Sequence, residues 1–293
     1  MSNFYGRFIK FSYCKNEITN VLDIDFDIPF DDGPEVDVAT VKIYNLSSNT
    51  IERIKKEKTG TLSAGYNGNY GVILTGKIQS VKTTWENTVD KLTTITIVDA
   101  NDNWLTNDFN KTYKKDITAK QILTDLIKAS GLKLGKLSLP TNKIYKGGKT
   151  VKDKIGKAIA DIVPDCNAIM HVTRQTIYVS GRNEGTDINV LIDKDSGLLG
   201  TPESFTKEEN YKVNKTVVSN VKKGQKTVKK IETKEENKTR NLHGYKIQML
   251  LNYRIKTGAI IHVKSKTANG KFRVSSGTHN GSEYTTEVEV YPV

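Results

Sequence analysis

Apolar and polar positions alternate in twos along most of the chain and change to helical spacing only in its middle. Asp23-Ile24-Asp25-Phe26-Asp27-Ile28 sets carboxylates on one strand face and apolar side chains on the other, up to Pro29. Val36-Asp37-Val38 and Val41-Lys42-Ile43 also alternate, with a parity change at Ala39-Thr40 that predicts a β-bulge. Residues 45–58 read as a short helix, with Asn49 and Glu52 spaced as a capping pair and Ile51 and Ile54 inward. Strands are expected at 61–66, 72–84 and 92–98. Thr118-Ala119-Lys120-Gln121 is a capping box, Ile122, Leu123, Leu126 and Ile127 form one stripe, and Gly131 is placed to stop that helix. A second helix is expected from Thr150, carrying Val151, Ile155, Ala158, Ile159 and Ile162 and ending before Pro164. A hairpin around Arg174-Gln175 and a strand at 188–192 complete this stretch. From Gly197 the pattern is β again. It predicts a hairpin of 213–221 and 227–233 around Lys223-Gly224, then strands at 245–253, 259–265, 271–276 and 284–291. Asn269-Gly270 and Asn280-Gly281 are type I′ turn signals within this run.

One pattern occurs twice. Gly76-Lys77-Ile78-Gln79-Ser80-Val81 leads, after a polar break, to Leu92-Thr93-Thr94-Ile95-Thr96-Ile97-Val98. Gly270-Lys271-Phe272-Arg273-Val274 leads to Tyr284-Thr285-Thr286-Glu287-Val288-Glu289-Val290. The chain therefore reads as mainly β with an α+β middle, two related small β-barrels flanking a helix-containing domain. The expected divisions are residues 1–110, 111–197 and 198–293. At 293 residues such modules have small individual cores, which favours contacts between modules or subunits.

Charge adds a second layer. Lys and Arg number 45 against 33 Asp and Glu, a net of +12, which raises nucleic acid, anionic lipid or an acidic protein as partner. Residues 222–240 hold eight Lys or Arg and three Glu, a local +5. Lys on hairpin edges also resists sheet-to-sheet aggregation. That run lacks the aromatic residues that stack on bases, which argues against specific nucleic-acid binding. The acidic strand face and this basic hairpin give the candidate subunit-interface residues: Asp23, Asp25, Asp27, Lys222, Lys223, Lys229 and Lys230. No apolar h-region opens the chain, and no apolar run is long enough to span a bilayer, so no membrane partner is expected.

The chemistry-bearing patterns fall short. Gly148-Lys149-Thr150 supplies the tail of a phosphate loop, but Lys143 stands where its first glycine belongs. Asp23, Asp25 and Asp27 begin like a calcium loop, yet Ile28 and Pro34 occupy the positions needing Gly and Glu. His171, His243, His262 and His279 lack zinc-site spacing, Cys14 and Cys166 are isolated, and Ser63 has no nucleophile elbow. No catalytic, cofactor-binding or metal residue is assigned, no cofactor is expected, and the chain is read as no enzyme.

The order of motifs carries a resemblance. Val41-Lys42-Ile43-Tyr44-Asn45-Leu46-Ser47 before a short helix, Ala64-Gly65-Tyr66, Leu74-Thr75-Gly76-Lys77-Ile78 and Val98-Asp99 resemble the N-terminal barrel of baseplate or tail hub proteins. These belong to contractile-tailed bacteriophages and to phage-tail-like bacteriocins of Gram-positive bacteria. Gly197-Leu198-Leu199-Gly200-Thr201-Pro202 and the closing Thr257-Gly258-Ala259-Ile260-Ile261 to His279 are similar to that family as well. The resemblance implies a homotrimeric baseplate hub in which six barrels meet the sixfold tail tube, or a distal tail protein, above. A threefold face would meet the central spike below, with the tape measure in the lumen, in a particle assembled in the bacterial cytoplasm. No catalytic role for His279 and no appended wall hydrolase are implied. The alternatives are a basic oligonucleotide-binding barrel protein, or a distal tail or tube protein of the same particle.

Overall fold

The computed structural model describes residues 4–33, 35–223 and 226–293, and for 102, 105, 210–223 and 226–237 the backbone alone. The first module comprises β1 (Arg7–Tyr13), β2 (Asn16–Thr19), β3 (Ile24–Phe30), β4 (Val38–Tyr44), α1 (Ser48–Lys56), β5 (Thr59–Tyr66), β6 (Asn69–Trp85) and β7 (Lys91–Val98). Its strands pair in the order β3-β4-β7-β6-β5-β1-β2. The inward halves of the alternation, including Phe11, Phe26, Val41, Ile43, Leu62, Leu74, Ile95 and Ile97, meet Ile51 and Ile54 of α1 in one core. Two local expectations fail. The α1 cap is Ser47, whose side chain accepts from Thr50 N–H, so the helix begins one residue before Asn49 and gains no Asn49–Glu52 pair. No bulge occurs at Ala39-Thr40, because β4 begins only at Val38 and pairs with β7 in unbroken register.

The middle elements are α2 (Asp102–Thr106), β8 (Asp108–Tyr113), β9 (Ile117–Thr118), α3 (Ala119–Ser130), β10 (Lys133–Leu137), β11 (Ile144–Tyr145), β12 (Lys149–Lys154), α4 (Ile155–Ile162), β13 (Ile169–Thr173) and β14 (Thr176–Ser180). The α3 capping box forms between Thr118 and Gln121, and Gly131 ends the helix at φ 69°. The expected helix start at Thr150 is overturned. Residues 149–154 pair with β8, the Thr150 and Thr112 hydroxyls lie 3.2 Å apart, and the helix starts at Ile155. Val151 is buried by either periodicity, so the sequence alone does not separate the two readings. Arg174 and Gln175, at φ 51° and 57°, form the expected tight turn between β13 and β14.

The third set is β15 (Thr186–Ile192), β16 (Leu198–Lys223), β17 (Lys226–Leu250), β18 (Ala259–Lys264), β19 (Asn269–Asn280) and β20 (Thr285–Pro292). Ile247, Met249, Ile261, Val263, Phe272, Val274, Val288 and Val290 form its core, joined by Phe30 of β3. Neither Asn-Gly pair makes a two-residue turn. Asn269-Gly270 lies inside β19, and Asn280-Gly281 opens a four-residue connection in which Tyr284, at φ 63°, turns inward. Residues Ser204–Gly244, from β16 and β17, are a separate compact unit in which Arg240 Nη2 meets Glu209 Oε2 at 2.7 Å.

The first and third sets repeat one plan. The order β4-β7-β6-β5 is matched by β17-β20-β19-β18, antiparallel throughout. Each central hairpin carries one bulge, between Ile78 and Ser80 on β6 and between Val274 and Ser276 on β19. The two units join where β3 pairs with β19, Asp27 opposite Asn280 and Phe30 opposite Gly277.

Candidate functional site

Strand β3 builds the acidic surface. Burying Ile24, Phe26, Ile28 and Phe30 forces Asp25 and Asp27 to the other face, and Asp23 is exposed just before the strand. Asp25 Oδ1 accepts the Phe26 N–H at 2.8 Å. The same outward face continues over β19 to Thr278, opposite both Pro29 and Glu287, and to Glu289, beside Lys246 at 3.7 Å. Thus Asp23, Asp25 and Asp27 share one surface as expected. The backbone of Lys222, Lys223, Lys229 and Lys230 lies in β16 and β17, and their side chains fall outside the described residues.

A larger basic region lies where the sequence reading placed none. Residues 108–157 hold thirteen lysines and four aspartates, a net of +9. Its spine is the β8–β12 ribbon, where Asn110 faces Lys152 and Asp108 faces Lys154. Lys114, Lys115, Lys146, Lys152 and Lys154 are exposed. The aromatic residues beneath are already engaged: Tyr113 and Tyr145 hydroxyls donate to Asp125 (3.0 Å) and Asp165 (2.7 Å). Lys143 and Lys149 lie over the Tyr145 ring. Pairing of β8 with β12 sets Lys111, Lys149, Lys152 and Lys154 on one ribbon, while the other lysines lie on α3, β10, α4 and the connections.

The third feature is a buried polar junction between modules, also missed. Arg273 of β19, 3% exposed in its side chain, grips Asp32 through Nη1 (2.6 Å) and Nη2 (2.8 Å) and donates from Nε to the Glu184 carbonyl at 2.8 Å. His171 Nδ1 stands 3.6 Å from Asp32 Oδ1, and its ring stacks on Tyr178 at 5.0 Å. Asp99, directly after β7, accepts the Arg174 and Gln175 N–H groups at 2.6 and 2.8 Å and so fixes the β13–β14 turn. Arg174 Nη2 donates to the Tyr253 carbonyl at 2.6 Å, while its Nε is buried without a hydrogen-bond partner. Burial pushes the Asp32 and Asp99 carboxyls up, opposed by Arg273 and by the turn N–H groups respectively. Asp37, half-buried beside Asp31 and Asp99, is pushed up to about 8 by desolvation and then by those two carboxylates. Burial, with cationic neighbours, pushes His171 and His279 down to about 3.

None of this assembles a reaction centre or a cofactor cradle. Among the described residues no group of three or more His, Cys, Asp or Glu could hold a metal ion. His279 is buried between Thr286 Oγ1 (2.8 Å) and the Ile255 carbonyl (3.2 Å), and His262 lies on Asp187. Cys14 is exposed and Cys166 buried, both free. Among the described residues no helix is long and apolar enough to cross a membrane. The arrangement can hold modules rigidly and offer charged surfaces and strand edges.

No protein-family model and no curated protein matches the chain. Solved structures do. The prophage MuSo2 43 kDa tail protein from Shewanella oneidensis aligns with a TM-score of 0.63 at 7% identity, over 97% of this chain and 98% of its own. The tail protein from Neisseria meningitidis MC58 aligns at 0.60 and 12%, over 98% and 97%. The Escherichia coli c3393 protein is described as a type VI secretion component with structural similarity to the T4 tail proteins gp27 and gp5. It aligns at 0.60 and 8%, over 97% of this chain and 76% of that one. At such identities the likeness is one of fold, and it extends over nearly the whole chain.

Proposed function

We propose that this chain is a structural hub of a phage tail or phage-tail-like particle, of the Gram-positive type its motifs resemble, and that it acts through its surfaces without catalysis. As a homotrimer it joins a sixfold tail tube or distal tail protein to a threefold central spike, with the tape measure in the lumen. The observation that supports this reading is the repeated four-stranded unit joined edge to edge through β3 and β19. Three chains then supply six equivalent units to a sixfold partner, and the fold likeness to tail proteins over nearly the whole chain agrees with that role. The three divisions at 1–110, 111–197 and 198–293 are proposed as its modules, with β15, which falls in the second by sequence, packing into the third. Asp23, Asp25 and Asp27, with Lys222, Lys223, Lys229 and Lys230, are proposed as subunit or partner contacts.

Mass photometry of the purified protein and cryo-electron microscopy of isolated tails test this. The expected result is a trimer forming a ring with six β units. A protein that is monomeric at high concentration and missing from purified baseplates would overturn it. The +9 segment 108–157, which includes the β8–β12 ribbon, favours a second reading, a basic oligonucleotide-binding protein. DNA binding that weakens steeply with added salt, in a chain that does not trimerise, is the outcome that selects it.

A further inference from the structure

The far half of β6 leaves open a strand edge that its counterpart has filled. Beyond Lys77, β6 pairs with β7 on one side, and among the described residues no strand lies on the other. Aligning the two bulges makes Val81, Lys82, Thr83 and Thr84 the counterparts of Gly277, Thr278, His279 and Asn280. That stretch of β19 is covered by β3 of the same chain. The difference shows in exposure. His279 is 1% exposed, whereas Thr83 is exposed, and the β6–β7 tip displays Trp85 at 68% and Val89 at 75%. An open edge flanked by exposed apolar side chains is suited to strand addition.

The same correspondence identifies the strand that fits. Tyr44 of β4 lies opposite Leu92 and donates its N–H to the Asp23 carbonyl. Leu250 of β17 lies opposite Thr285 and donates its N–H to the Gly197 carbonyl. The start of β16 is therefore the counterpart of β3, residues 201–203 standing for 27–29. We propose that the β6 edge at residues 81–84 of one copy takes the start of β16 from a second copy as an antiparallel strand. This rests on the hub reading and specifies its subunit contact. Within a chain the third module receives β3 of the first; between chains the first module receives β16 of the third. Repetition of that step is a heterologous contact, which closes into a ring when the rotation closes. In this register Lys82 faces Glu203, an opposite-charge pair where Thr278 faces Pro29. Pro202 stands where Ile28 does, so that pair keeps a single bond, from Thr83 N–H to the second lone pair of the Pro202 carbonyl, which already accepts Thr267 Oγ1 at 2.9 Å in its own chain.

The test is a cysteine pair. Directly opposed strand residues lie within disulfide reach, so Lys82→Cys with Glu203→Cys, in a Cys14→Ser background, is expected to give covalent dimers and trimers on a non-reducing gel. Each single cysteine is expected to give no trimer. Thr83→Pro removes the outward donor together with the Thr93 hydroxyl contact, and it is expected to lower the association constant by about tenfold relative to Thr83→Ala, which loses the hydroxyl contact alone. Absence of cross-linking in a protein that still trimerises overturns the strand-addition contact and leaves the hub reading standing. A wild-type chain that never trimerises and is missing from baseplates overturns the hub reading itself.

Discussion

Replacing Arg273 by Met retains the apolar stem and removes the guanidinium from the junction between modules. Three hydrogen bonds are lost, two to Asp32 at 2.6 and 2.8 Å and one to the Glu184 carbonyl at 2.8 Å. Asp32 then remains in a site that already pushes its carboxyl up by burial, without the cation that bonds it directly and with Arg182 left to offset the cost. Breaking one side of a buried ion pair costs about 3–5 kcal/mol, more than the sum of three neutral bonds at about 1 kcal/mol each. Urea unfolding at pH 7, followed through Trp104 of α2, buried with Ile155 and Ile159 of α4 in the core of the middle elements, and by far-ultraviolet dichroism, is expected to show a loss of stability in that range. The double variant Asp32→Asn/Arg273→Met removes both charges of the pair and is expected to recover about 1–3 kcal/mol relative to Arg273→Met. A single-variant cost below about 1 kcal/mol, or a double cost equal to the sum of the singles, refutes the view of this pair as a coupled buried unit.

Asp99→Ala leaves the Arg174 and Gln175 N–H groups without their acceptor, and a loss of about 1–3 kcal/mol with faster amide exchange at those two residues is expected. Unchanged exchange there would show that the carboxylate does not hold the turn. Tyr284→Phe strands the Gly65 N–H (3.0 Å) and frees the Phe8 carbonyl (2.8 Å), at a cost of about 1–3 kcal/mol. Denaturant midpoints indistinguishable from wild type would count against it. His171 and His279 stay neutral in the fold down to about pH 3, whereas in the unfolded chain they protonate near 6.5. Between those values the unfolded state binds the extra protons, so their stabilisation is complete above about pH 6.5. It falls on acidification by about 1.4 kcal/mol per histidine per pH unit. A His279→Gln chain whose stability follows the wild-type slope between pH 6 and 4 would rule this out.

Where a signal is local, it can be read from the sequence. The Thr118–Gln121 box, the Gly131 stop, the alternating acidic strand and the Arg174-Gln175 turn all depend on residues within a few positions of one another. Thr150–Lys154 satisfies helical and strand spacing alike, and pairing with β8, nearly forty residues earlier, decides it. Asn269-Gly270 has the composition of a hairpin turn, but the reversal occurs before it, where Ser265 Oγ accepts the Thr267 and Ala268 N–H groups. The buried junction carries no local signal at all, since Arg273 and Asp32 are 241 residues apart. The +9 of residues 108–157 is spread along the sequence, and only the pairing of β8 with β12 shows that Lys111, Lys149, Lys152 and Lys154 share one ribbon.

The repeated Gly-Lys and Thr-Thr pattern marks real counterparts, but not through the residues that make it visible. Bulge alignment sets Gly76 against Phe272, not Gly270, and Thr93 against Thr286, not Thr285. The two glycines have unrelated causes: a Cβ on Gly76 would collide with the Val98 carbonyl, whereas Gly270 lies in open space at φ 131°. What the units share is polar bonding across the hairpin. Ser80 and Ser276, each next after the bulge, donate to Thr96 and Glu289. Thr93 and Thr286 are both fully buried, and each meets the residue opposite, Thr83 or His279, through its hydroxyl. The bulge fixes strand curvature and the buried hydroxyl fixes register, so these positions set where an added strand fits. On β19 that strand is β3, and His279 is sealed beneath it; on β6 Thr83 faces solvent at an edge of the same geometry.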